Sequence, residues 1–319
     1  MRSRLYMNPA PGSADVSVVF VSFNTRQLLR AAIRSIPPEC EIVVVDNAST
    51  DGSADMVRSE FPEARLIVND RNVGFGAANN QGLQAATRPL VLLLNSDAEA
   101  LPGAIDRLAA EFRDPSVVAA GGRLQNPDGT LQESAAAELT LWAVFCEQTL
   151  LEKAFRRSKL LSPYWLSSRL LQHGAGPFEV PQVMGACLMM RPVERFDERF
   201  FLYCEDTELC HRLRRHGRIL YVPDARFVHH LGSSSTHRWE AVARYNRGKE
   251  LYFLLHRGRA AWLTCLLLNR LGALLRTIAW SAVALATLGT RRRAPANAAL
   301  FLRVLCAPLN GPSDPRTER

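Results

Sequence analysis

The sequence predicts an α/β fold in which a mostly parallel sheet is flanked by helices, with an amphipathic helical extension at the C-terminus. Short apolar runs alternate with helical stretches up to about residue 125, which is the pattern of repeated βαβ units. Several runs, such as IVVV and LVLLL, are apolar without alternation, as expected for strands covered on both faces. The 319 residues are 47% hydrophobic and 22% charged, which excludes a disordered or disulfide-scaffold protein.

Strands and helices are predicted in alternation along the first 125 residues. The predicted strands are residues 16–22, 41–45, 64–68, 89–94 and 117–120. The predicted helices are residues 27–36, 53–61, 76–86 and 102–112. Farther along, NPDGT is typical of a hairpin turn, and VMGACLMM and RILYVP each predict a strand. The segment between NPDGT and VMGACLMM has no clear period and receives no assignment.

Charge and cysteine usage narrow the function classes. The net charge is +8, and residues 251–319 account for all of it, with ten arginines against two acidic side chains. A neutral main body argues against a nucleic-acid-binding face. The seven cysteines include no CxxC pair, which favours a reducing compartment. The first 15 residues contain no apolar run of signal-peptide length, so we expect a cytoplasmic protein.

The C-terminal region is apolar but interrupted by charge. Arg270 and Arg276 divide residues 260–290, and the longest uncharged run has 14 residues, whereas a spanning helix needs about 20. We therefore expect an amphipathic helix on an anionic membrane surface. The arginines available for lipid headgroups are Arg257, Arg259 and Arg291 to Arg293. The alternative is a pair of helices that pack on the protein itself.

Polar segments follow the first two predicted strands, SFN at residues 22–24 and VDNASTDGS at residues 45–53. Ligands of open parallel sheets bind at the carboxyl ends of strands. Asp46 or Asn47 can accept a hydrogen bond from the imide of uracil or thymine, while Phe23, next to Asn24, packs against the ring. The alternative is that the aspartates only cap or turn the chain.

The segment NVGFGAANNQG, residues 72–82, contains a GxG pair. It is not a dinucleotide fingerprint, because the third glycine position is Asn79 and the segment follows the third strand. Gly74 and Gly76 favour a close approach of the backbone to a ligand. A flexible turn is the alternative.

Three further segments carry charged or metal-binding side chains. An apolar strand ends in Asn95-Ser96-Asp97, where Asp97 can hold Mg²⁺ or Mn²⁺ against two phosphates, unless it is merely an exposed aspartate in a turn. Glu205 and Asp206 open a helix; Asp206 suits a base that removes a hydroxyl proton, although both also suit an ordinary helix start. PDARFVHHLGSSS, residues 223–235, offers imidazole ligands on a loop able to fold over phosphates, or a structural histidine pair.

The order of these motifs resembles the family 2 glycosyltransferases, in the bacterial rhamnosyltransferase-like branch. The resemblance runs from about residue 16 to residue 235 and rests on VSVVFVSFN, VDNASTDGS, NVGFGAANNQG, LLLNSDAEALPG, VMGACLMMR, FDERFFLYCEDTELCHRLRRHG and HHLGSSS. It implies a Rossmann-like GT-A fold, a nucleotide-diphospho-sugar donor, Mg²⁺ or Mn²⁺, and inversion at the anomeric carbon.

Roles follow from the resemblance by position. Asn95-Ser96-Asp97 stands where the family has its DxD-like motif, with Asp97 as the metal ligand. His229, rather than His230, matches the metal-binding histidine by its spacing to Gly232 and Ser234. The resemblance makes Asp206 the catalytic base beside Glu205. The nucleotide-binding residues are Phe23, Asn24, Asp46, Asn47, Gly74, Asn79, Asn95 and Ser96.

The resemblance also implies a domain organisation, a reaction and its substrates. We divide it into a tail (residues 1–14), a catalytic domain (residues 15–240) and a basic helical region (residues 241–319), the domain having a nucleotide-sugar half to about residue 125 and an acceptor half beyond it. The expected reaction transfers rhamnose from dTDP-rhamnose to a glycolipid or polysaccharide at the inner face of the membrane. The alternatives are a UDP-sugar transferase such as a galactofuranosyltransferase, a sugar nucleotidylyltransferase, and a non-catalytic nucleotide-sugar-binding protein.

Overall fold

The apolar runs of the sequence form one curled central sheet in the computed structural model, which describes residues 10–174, 176–230, 238–288 and 290–308. The strands are β1 (Val16–Ser22), β2 (Glu41–Asp46), β3 (Arg65–Val68), β4 (Leu90–Leu94), β5 (Ala98–Ala100), β6 (Val117–Gln125), β7 (Ala135–Ala136), β8 (Phe178–Glu179), β9 (Gln182–Val183), β10 (Cys187–Met190) and β11 (Arg218–His229). The predicted α/β class is confirmed, and each of the five predicted strands is present.

The four predicted helices are also present, each within two residues of its expected bounds. The helices are α1 (Arg26–Arg34), α2 (Ser53–Glu60), α3 (Phe75–Ala85), α4 (Ala104–Glu111), α5 (Leu141–Gln148), α6 (Leu151–Ala154), α7 (Ser167–Leu170), α8 (Glu205–Leu213), α9 (Arg238–Ala286) and α10 (Arg293–Leu305). Short 3₁₀ turns cover Ser13–Asp15 and Leu171–His173. The predicted domain boundary at residue 240 falls in the first turn of α9.

The sheet combines a parallel half with a mixed half. Its order is β3-β2-β1-β4-β10-β6-β11-β5, with β8 added to β11. The first four strands are parallel to one another, so their carboxyl ends share one edge. Strand β10 runs antiparallel between β4 and β6. A strand from the second half of the chain is therefore inserted among strands of the first.

Both faces of the sheet are covered, as the uninterrupted apolar runs predicted. On one face Val18 and Phe20 of β1 pack in the same core as Leu29 of α1, together with side chains of α2 and α4. On the opposite face Val19 packs in the core that includes Leu83 of α3 and parts of α8. Successive side chains of a strand point to opposite faces, so β1 contributes to both cores.

One segment expected to be a loop is a strand. Strand β11 continues through most of PDARFVHH and ends at His229, after an irregularity that follows Val222. From residue 224 to residue 227 exposed and buried side chains alternate, which is the pattern of a strand with one solvated face. The expected flexible loop therefore does not begin before His229. The small residues of its other half, including Gly232 and Ser234, lie outside the described residues.

The C-terminal helices pack on the catalytic domain and on each other. Helix α9 is interrupted at Gly258, where φ is 81°, and its buried side chains Tyr252, Phe253 and Cys265 join α5 in a third core. The arginines that interrupt the apolar sequence point inward. Arg270 donates hydrogen bonds to carbonyls at the end of α10, including Val304 O at 2.9 Å.

Arg276 binds the carbonyl oxygens at the end of α5, as Arg270 does at the end of α10. It donates to Glu147 O and Gln148 O, each at 2.9 Å. Positive side chains stabilise the last carbonyls of a helix. Both arginines are therefore turned inward. By length and composition, the described part of the chain contains one helix, Arg238–Ala286, that is long and apolar enough to cross a membrane. The sequence alone had not predicted such a helix. About 28% of its most apolar stretch is buried inside the protein.

Candidate active site

The predicted site residues gather at the carboxyl edge of the parallel strands. Asp46 ends β2 and Asn95 follows β4. Hydrogen bonds between side chains connect this region to the end of β1. Ser22 Oγ lies 3.1 Å from Thr25 Oγ1, which donates to Ser96 Oγ at 2.9 Å. All of these polar side chains except that of Asn95 are buried. The sheet topology therefore brings the three strand-end motifs into one connected edge.

Asn95, Asp97 and His229 form a compact cluster at this edge. His229 Nε2 lies 3.2 Å from Asp97 Oδ1 and 3.3 Å from Asn95 Nδ2. Antiparallel pairing of the end of β11 with β5 places His229 opposite Ala98, the residue after Asp97. His230 instead turns to Glu99 at 3.1 Å. The structure therefore brings the side chains of Asp97 and His229 together, as the sequence predicted, whereas His230 donates to Asp97 O through its backbone N–H at 2.9 Å and turns its ring to Glu99.

Gln132 sets the orientation of the His229 ring. Its Nε2 donates to His229 O at 2.7 Å and to Asn126 Oδ1 at 2.6 Å, so both amide hydrogens are committed to carbonyl oxygens. Gln132 Oε1 is left to accept a hydrogen bond from His229 Nδ1 at 2.9 Å. A proton on Nδ1 donated to Gln132 leaves Nε2, which lies 3.2 Å from Asp97 Oδ1, as the ring nitrogen that could bind a metal.

This cluster fits a divalent cation. Octahedral ligands lie about 2.1 Å from Mg²⁺, so atoms 3.2 Å apart, such as His229 Nε2 and Asp97 Oδ1, can occupy neighbouring positions on one ion. Asn95 Oδ1 is buried and has no hydrogen-bond partner. The described residues contain no group of three or more His, Cys, Asp and Glu side chains placed around one ion. Asp97 and His229 would therefore be the two such ligands that the described residues contribute.

Helix α8 opens with the carboxyl groups of Glu205, which is buried, and Asp206, which is half-buried. Tyr203 and Cys204, at φ 75° and 66°, turn the chain sharply before Glu205 and Asp206, and such non-glycine conformations are uncommon. Asp206 Oδ2 accepts a hydrogen bond from the backbone N–H of Gly185 at 2.9 Å, and its Oδ1 accepts one from Thr207 at 2.7 Å. Glu205 Oε2 is buried without a hydrogen-bond partner.

Asp206 is joined to the Asn95 cluster through the loop before β10. Gly185 donates to Asp206, and the carbonyl oxygen of the next residue, Ala186, accepts from the backbone N–H of Asn95 at 3.1 Å. A Cβ built on Gly185 would lie 3.2 Å from Asp206 Cβ, so the two backbones are in close contact. Two backbone contacts therefore link the carboxyl of Asp206 to the segment that carries Asp97.

Burial sets the protonation of the two carboxyls of α8. Burial, followed by the charge of Asp206, raises the pKa of Glu205 to about 8. Burial also raises the pKa of Asp206, although hydrogen bonds from Gly185 and Thr207 oppose that change. Two adjacent buried carboxyls are not both ionised at neutral pH at low cost. At pH 7 Glu205 is mostly neutral, and Asp206 is the carboxyl of the pair that ionises first.

Among the predicted base-binding residues, Asp46 has an unused acceptor. Its Oδ1 accepts from Ser49 N at 2.9 Å, whereas its buried Oδ2 has no hydrogen-bond partner. The side chain of Asn47 is engaged within the protein, donating to Asn72 Oδ1 at 2.8 Å and accepting from Val73 N at 3.0 Å. Asp46 therefore keeps an acceptor without a partner among the described residues, and its contact with a base stays a prediction, whereas Asn47 orders the loop before α3.

Other predicted residues lie near the edge with more local contacts. Asn24 Oδ1 accepts from Thr50 N at 2.8 Å, which ties together the loops after β1 and β2, and Phe23 is half-buried beside it. Asn79 is buried in α3 and donates to Phe75 O at 3.0 Å. The nucleotide contacts of these three residues remain predictions.

Gly74 is needed for a close packing contact that the sequence did not reveal. Its φ is 91°, and a Cβ there would lie 2.8 Å from both the ring and the carbonyl oxygen of Phe201. The backbone N–H of Phe75 donates to that same carbonyl at 2.8 Å. The close approach allowed by Gly74 therefore serves the segment before α8, and any contact with a ligand stays a prediction.

Two residues of the site were missed by sequence analysis. Gly185 lies in VMGACLMM, which the sequence identified only as a strand. Gln132 lies in the segment without a clear period, and nothing in its sequence context marks it. Both act through contacts with residues far away in the chain, so only the folded arrangement reveals them.

The fold and this site together define a GT-A enzyme: an α/β sheet with a carboxylate–imidazole pair at its carboxyl edge and a buried carboxylate beside it. A mannosyltransferase from Pyrobaculum calidifontis, solved in complex with GDP-Man and Mn²⁺, shares this fold. The match has a TM-score of 0.51 and 17% identity and covers 94% of this chain and 89% of that one.

The sequence comparisons give the family. Residues 17–169 match the model of Glycosyl transferase family 2. A Mycobacterium tuberculosis N-acetylglucosaminyl-diphospho-decaprenol L-rhamnosyltransferase is 30% identical over 245 residues, which are 69% of this chain and 76% of that protein. The O-antigen biosynthesis protein RfbC of Myxococcus xanthus is 26% identical over 80% of this chain and 20% of its own length. The chain belongs to glycosyltransferase family 2, in its rhamnosyltransferase-like branch, and is a glycosyltransferase.

The raised pKa of Glu205 predicts a pH-dependent stability difference. Between the usual pKa of 4.5 and the folded value of about 8, the folded state keeps a proton that the unfolded state releases, so the wild type loses stability as pH rises. Glu205→Gln cannot ionise and escapes this loss, which amounts to at most about 1.4 kcal/mol per pH unit. In thermal denaturation from pH 5 to pH 8, the variant should gain steadily on the wild type. The exposed Glu63→Gln serves as control, and a pH-independent difference for Glu205→Gln would refute the assignment.

The contact between Gln132 and His229 predicts a loss of metal affinity on substitution. Gln132→Leu removes the acceptor that keeps the proton on His229 Nδ1, and the loss of such a partner typically weakens metal binding about 10- to 100-fold. Mn²⁺ affinity, measured by electron paramagnetic resonance titration with UDP present, should fall in that range. Glu99→Gln, beside His230, should leave it unchanged. Equal Mn²⁺ affinity for Gln132→Leu and the wild type would count against this role.

Proposed function

We propose that the protein is an inverting, metal-dependent glycosyltransferase that transfers rhamnose from dTDP-rhamnose to a hydroxyl group of a lipid-linked or polysaccharide acceptor in cell-envelope glycan synthesis. One observation supports the proposal: the Asp97–His229 pair lies at the carboxyl edge of the sheet, and the half-buried Asp206 is linked to the same edge through Gly185 and Ala186. A site for the leaving diphosphate and a base for the acceptor are the two parts that such a transfer needs.

Asp97 and His229 would hold Mg²⁺ or Mn²⁺. When bound, the ion offsets the negative charge that develops on the leaving diphosphate. The described residues offer two such ligands, so oxygen atoms of the diphosphate and water would supply others. The carboxamide of Asn95, in place of an aspartate, keeps the cluster from carrying a second negative charge.

Asp206 would act as the base. It accepts two backbone hydrogen bonds, which hold the carboxylate in one orientation. Burial raises its pKa, which makes it a stronger proton acceptor than an exposed aspartate while it remains ionised. Asp206 takes the proton of the acceptor hydroxyl as the oxygen attacks the anomeric carbon. Neutral Glu205 beside it keeps a single negative charge at this point.

The donor base follows from Asp46. Its buried Oδ2 can accept a hydrogen bond from the imide N–H of thymine or uracil. Guanine carries a comparable ring N–H on a larger purine, and adenine has none on its pairing edge. This supports dTDP and UDP donors equally. The mycobacterial relative, an L-rhamnosyltransferase by name, supports rhamnose, and its diphospho-decaprenol acceptor supports a lipid-linked substrate.

An exposed apolar stripe on α9 supports a location at the cytoplasmic face of the membrane. Leu263, Leu267, Leu271, Leu274 and Ile278 recur every three or four residues and are 39–60% exposed, so they share one side of the helix. The inward turn of Arg270 and Arg276 leaves this side free of charge. We infer that the stripe enters the lipid interface while Arg259 and the arginines after α9 face the headgroups.

A donor screen tests the reaction. The purified chain is assayed with dTDP-rhamnose, UDP-galactofuranose and GDP-mannose, each with Mn²⁺ and with EDTA, and with a prenyl-diphosphate-linked sugar as acceptor. The proposal expects transfer from dTDP-rhamnose that needs the metal. Transfer from UDP-galactofuranose alone would make the protein a UDP-sugar transferase, and binding of nucleotide sugars without transfer or hydrolysis would leave a non-catalytic protein.

The base is tested within the same assay. Asp206→Asn should lower kcat by about 10²- to 10⁴-fold, because proton transfer to a positioned base contributes that much, while donor affinity changes little. Asp224→Asn, an exposed substitution of the same kind on β11, should keep wild-type activity. Full activity in Asp206→Asn would remove Asp206 from this role.

The membrane inference predicts that the apolar stripe drives binding to vesicles. Substituting Leu263, Leu267 and Leu271 by Gln should lower partitioning onto phosphatidylglycerol vesicles at least about tenfold, because burial of each leucine contributes more than 1 kcal/mol. Replacing the equally exposed Val68, Leu160 and Val193 by Gln provides the matched control. Unchanged partitioning of the stripe variant in sedimentation assays would contradict the inference.

A further inference from the structure

A basic pocket lies between the segment before α8 and the first half of α9. Its cavity volume is about 20 Å³, room for about one water-sized group such as a phosphate oxygen, and the rest of the pocket is open to solvent. Its lining residues are Arg199, Phe200, Phe201, Leu202, Tyr203, Arg244, Arg247, Gly248 and Leu251. Three are arginines and none is acidic, so the pocket offers guanidinium groups beside aromatic and aliphatic side chains. This composition suits an anionic group attached to an apolar chain.

The arginines differ in how far their charge is already matched. Arg199 is paired with Asp197 in its own loop, and Arg244 lies 3.3 Å from Glu240 and over the ring of Phe201 at 5.7 Å. Arg247 has no carboxylate within ion-pair distance among the described residues. Its contact is a long hydrogen bond of 3.4 Å to Pro308 O.

Neighbouring positive charges make the binding of an anion at Arg247 more favourable. Burial lowers the pKa of Arg247, and Arg270 and Arg244 lower it further, against the opposing effect of Glu250. The side chain stays charged, since a guanidinium keeps its proton in proteins. A half-buried cation among like charges is stabilised by an oxyanion that accepts bidentate hydrogen bonds.

The pocket is rigidly placed beside the catalytic carboxylates. Tyr203 lines it and precedes Asp206 by three residues, so their Cα atoms are at most about 11 Å apart. Helix α9 packs tightly on this segment: a Cβ on Gly248 would lie 2.6 Å from Tyr203 O and 3.0 Å from Cys204 Cβ. A group held in the pocket therefore stays at a constant short distance from Asp206.

Helix α9 also joins the pocket to the apolar stripe. Leu251 lines the pocket, Leu254 is exposed less than one turn later, and the stripe from Leu263 to Ile278 follows after the interruption at Gly258. The second half of α9 runs back beside the first, since Asn269 donates to Asn246 O at 3.2 Å and to Glu250 Oε1 at 2.8 Å. The stripe therefore lies next to the half that lines the pocket, and the apolar chain of a ligand held there can follow it. Neither Asp97 nor His229 lines the pocket, so it is distinct from the site proposed for the donor diphosphate.

We propose that the Arg199–Arg244–Arg247 pocket binds the phosphate or diphosphate group of the lipid-linked acceptor. The proposal rests on the proposed function, because it assigns the acceptor to the second side of the same catalytic centre. Binding the anionic group here places the attached sugar toward Asp206, while the prenyl chain follows α9. The pocket would thereby select acceptors that carry phosphate over neutral glycans.

The first test measures binding without catalysis. Farnesyl diphosphate and farnesol are titrated calorimetrically against the full chain in EDTA, so that no metal contributes. The wild type should bind the diphosphate better than the alcohol, and Arg247→Gln should weaken diphosphate binding at least about tenfold. Arg244→Gln is the second pocket variant. Arg215→Gln, an exposed arginine on the turn after α8, changes the net charge equally and should have no effect.

The second test measures selectivity in transfer. Arg247→Gln should raise KM for a prenyl-diphosphate-linked sugar about tenfold or more, with KM for the nucleotide sugar unchanged and no change for an uncharged alkyl glycoside acceptor. An equal change for both acceptors would overturn the proposal. If the wild type transfers no sugar from any donor, the proposed function fails, whereas the calorimetric result still decides whether the pocket binds the diphosphate.

Three other outcomes would also overturn it. Displacement of farnesyl diphosphate by UDP in EDTA would place the probe in the donor site. Unchanged diphosphate binding by both folded pocket variants would place it elsewhere on the protein. If Arg247→Gln lost affinity for phosphatidylglycerol vesicles but not for farnesyl diphosphate, the pocket would bind membrane phospholipid rather than acceptor.

Discussion

The geometry of the active site depends on the insertion of β10 between β4 and β6. Because β10 is antiparallel to β4, the loop that precedes it lies at the carboxyl end of β4. Gly185 in that loop donates to Asp206, and Ala186 accepts from Asn95. One backbone segment thereby joins the carboxylate of helix α8 to the strand that carries Asp97. Without this antiparallel strand β4 and β6 would not be linked in the sheet.

The acidic side chains of the site differ in ionisation and in partners because their electrostatic surroundings differ. Asp97 faces His229, whose tautomer is set by Gln132, so the pair suits a hard cation. Glu205 and Asp206 are adjacent, and burial, followed by the charge of Asp206, raises the pKa of Glu205 to about 8. The two carboxyls differ because backbone donors favour the ionised form of Asp206, whereas Glu205 Oε2 has no hydrogen-bond partner among the described residues.

Helix α9 connects the catalytic domain to the surface proposed for lipid. Its first half packs against the segment before α8 and lines the arginine pocket, and its second half presents leucines to the outside. Arg270 and Arg276 would be costly on an apolar face, but they bind the terminal carbonyls of α10 and α5 instead. The helix can therefore be apolar outward and charged inward without an unpaired buried charge.

The alternation of strands and helices, their bounds in the first half and the polar residues at the strand ends were all readable from the sequence, because buried parallel strands require unbroken apolar runs. The family resemblance also singled out Asp97, Asp206 and His229. Only the tertiary structure decided that β10 enters the sheet, that Asn95 and His229, 134 residues apart, come into contact, and that Gly74 makes room for Phe201. Local pattern reports burial and propensity; it carries no information about which distant segments share an edge, since those contacts follow from packing of the whole chain.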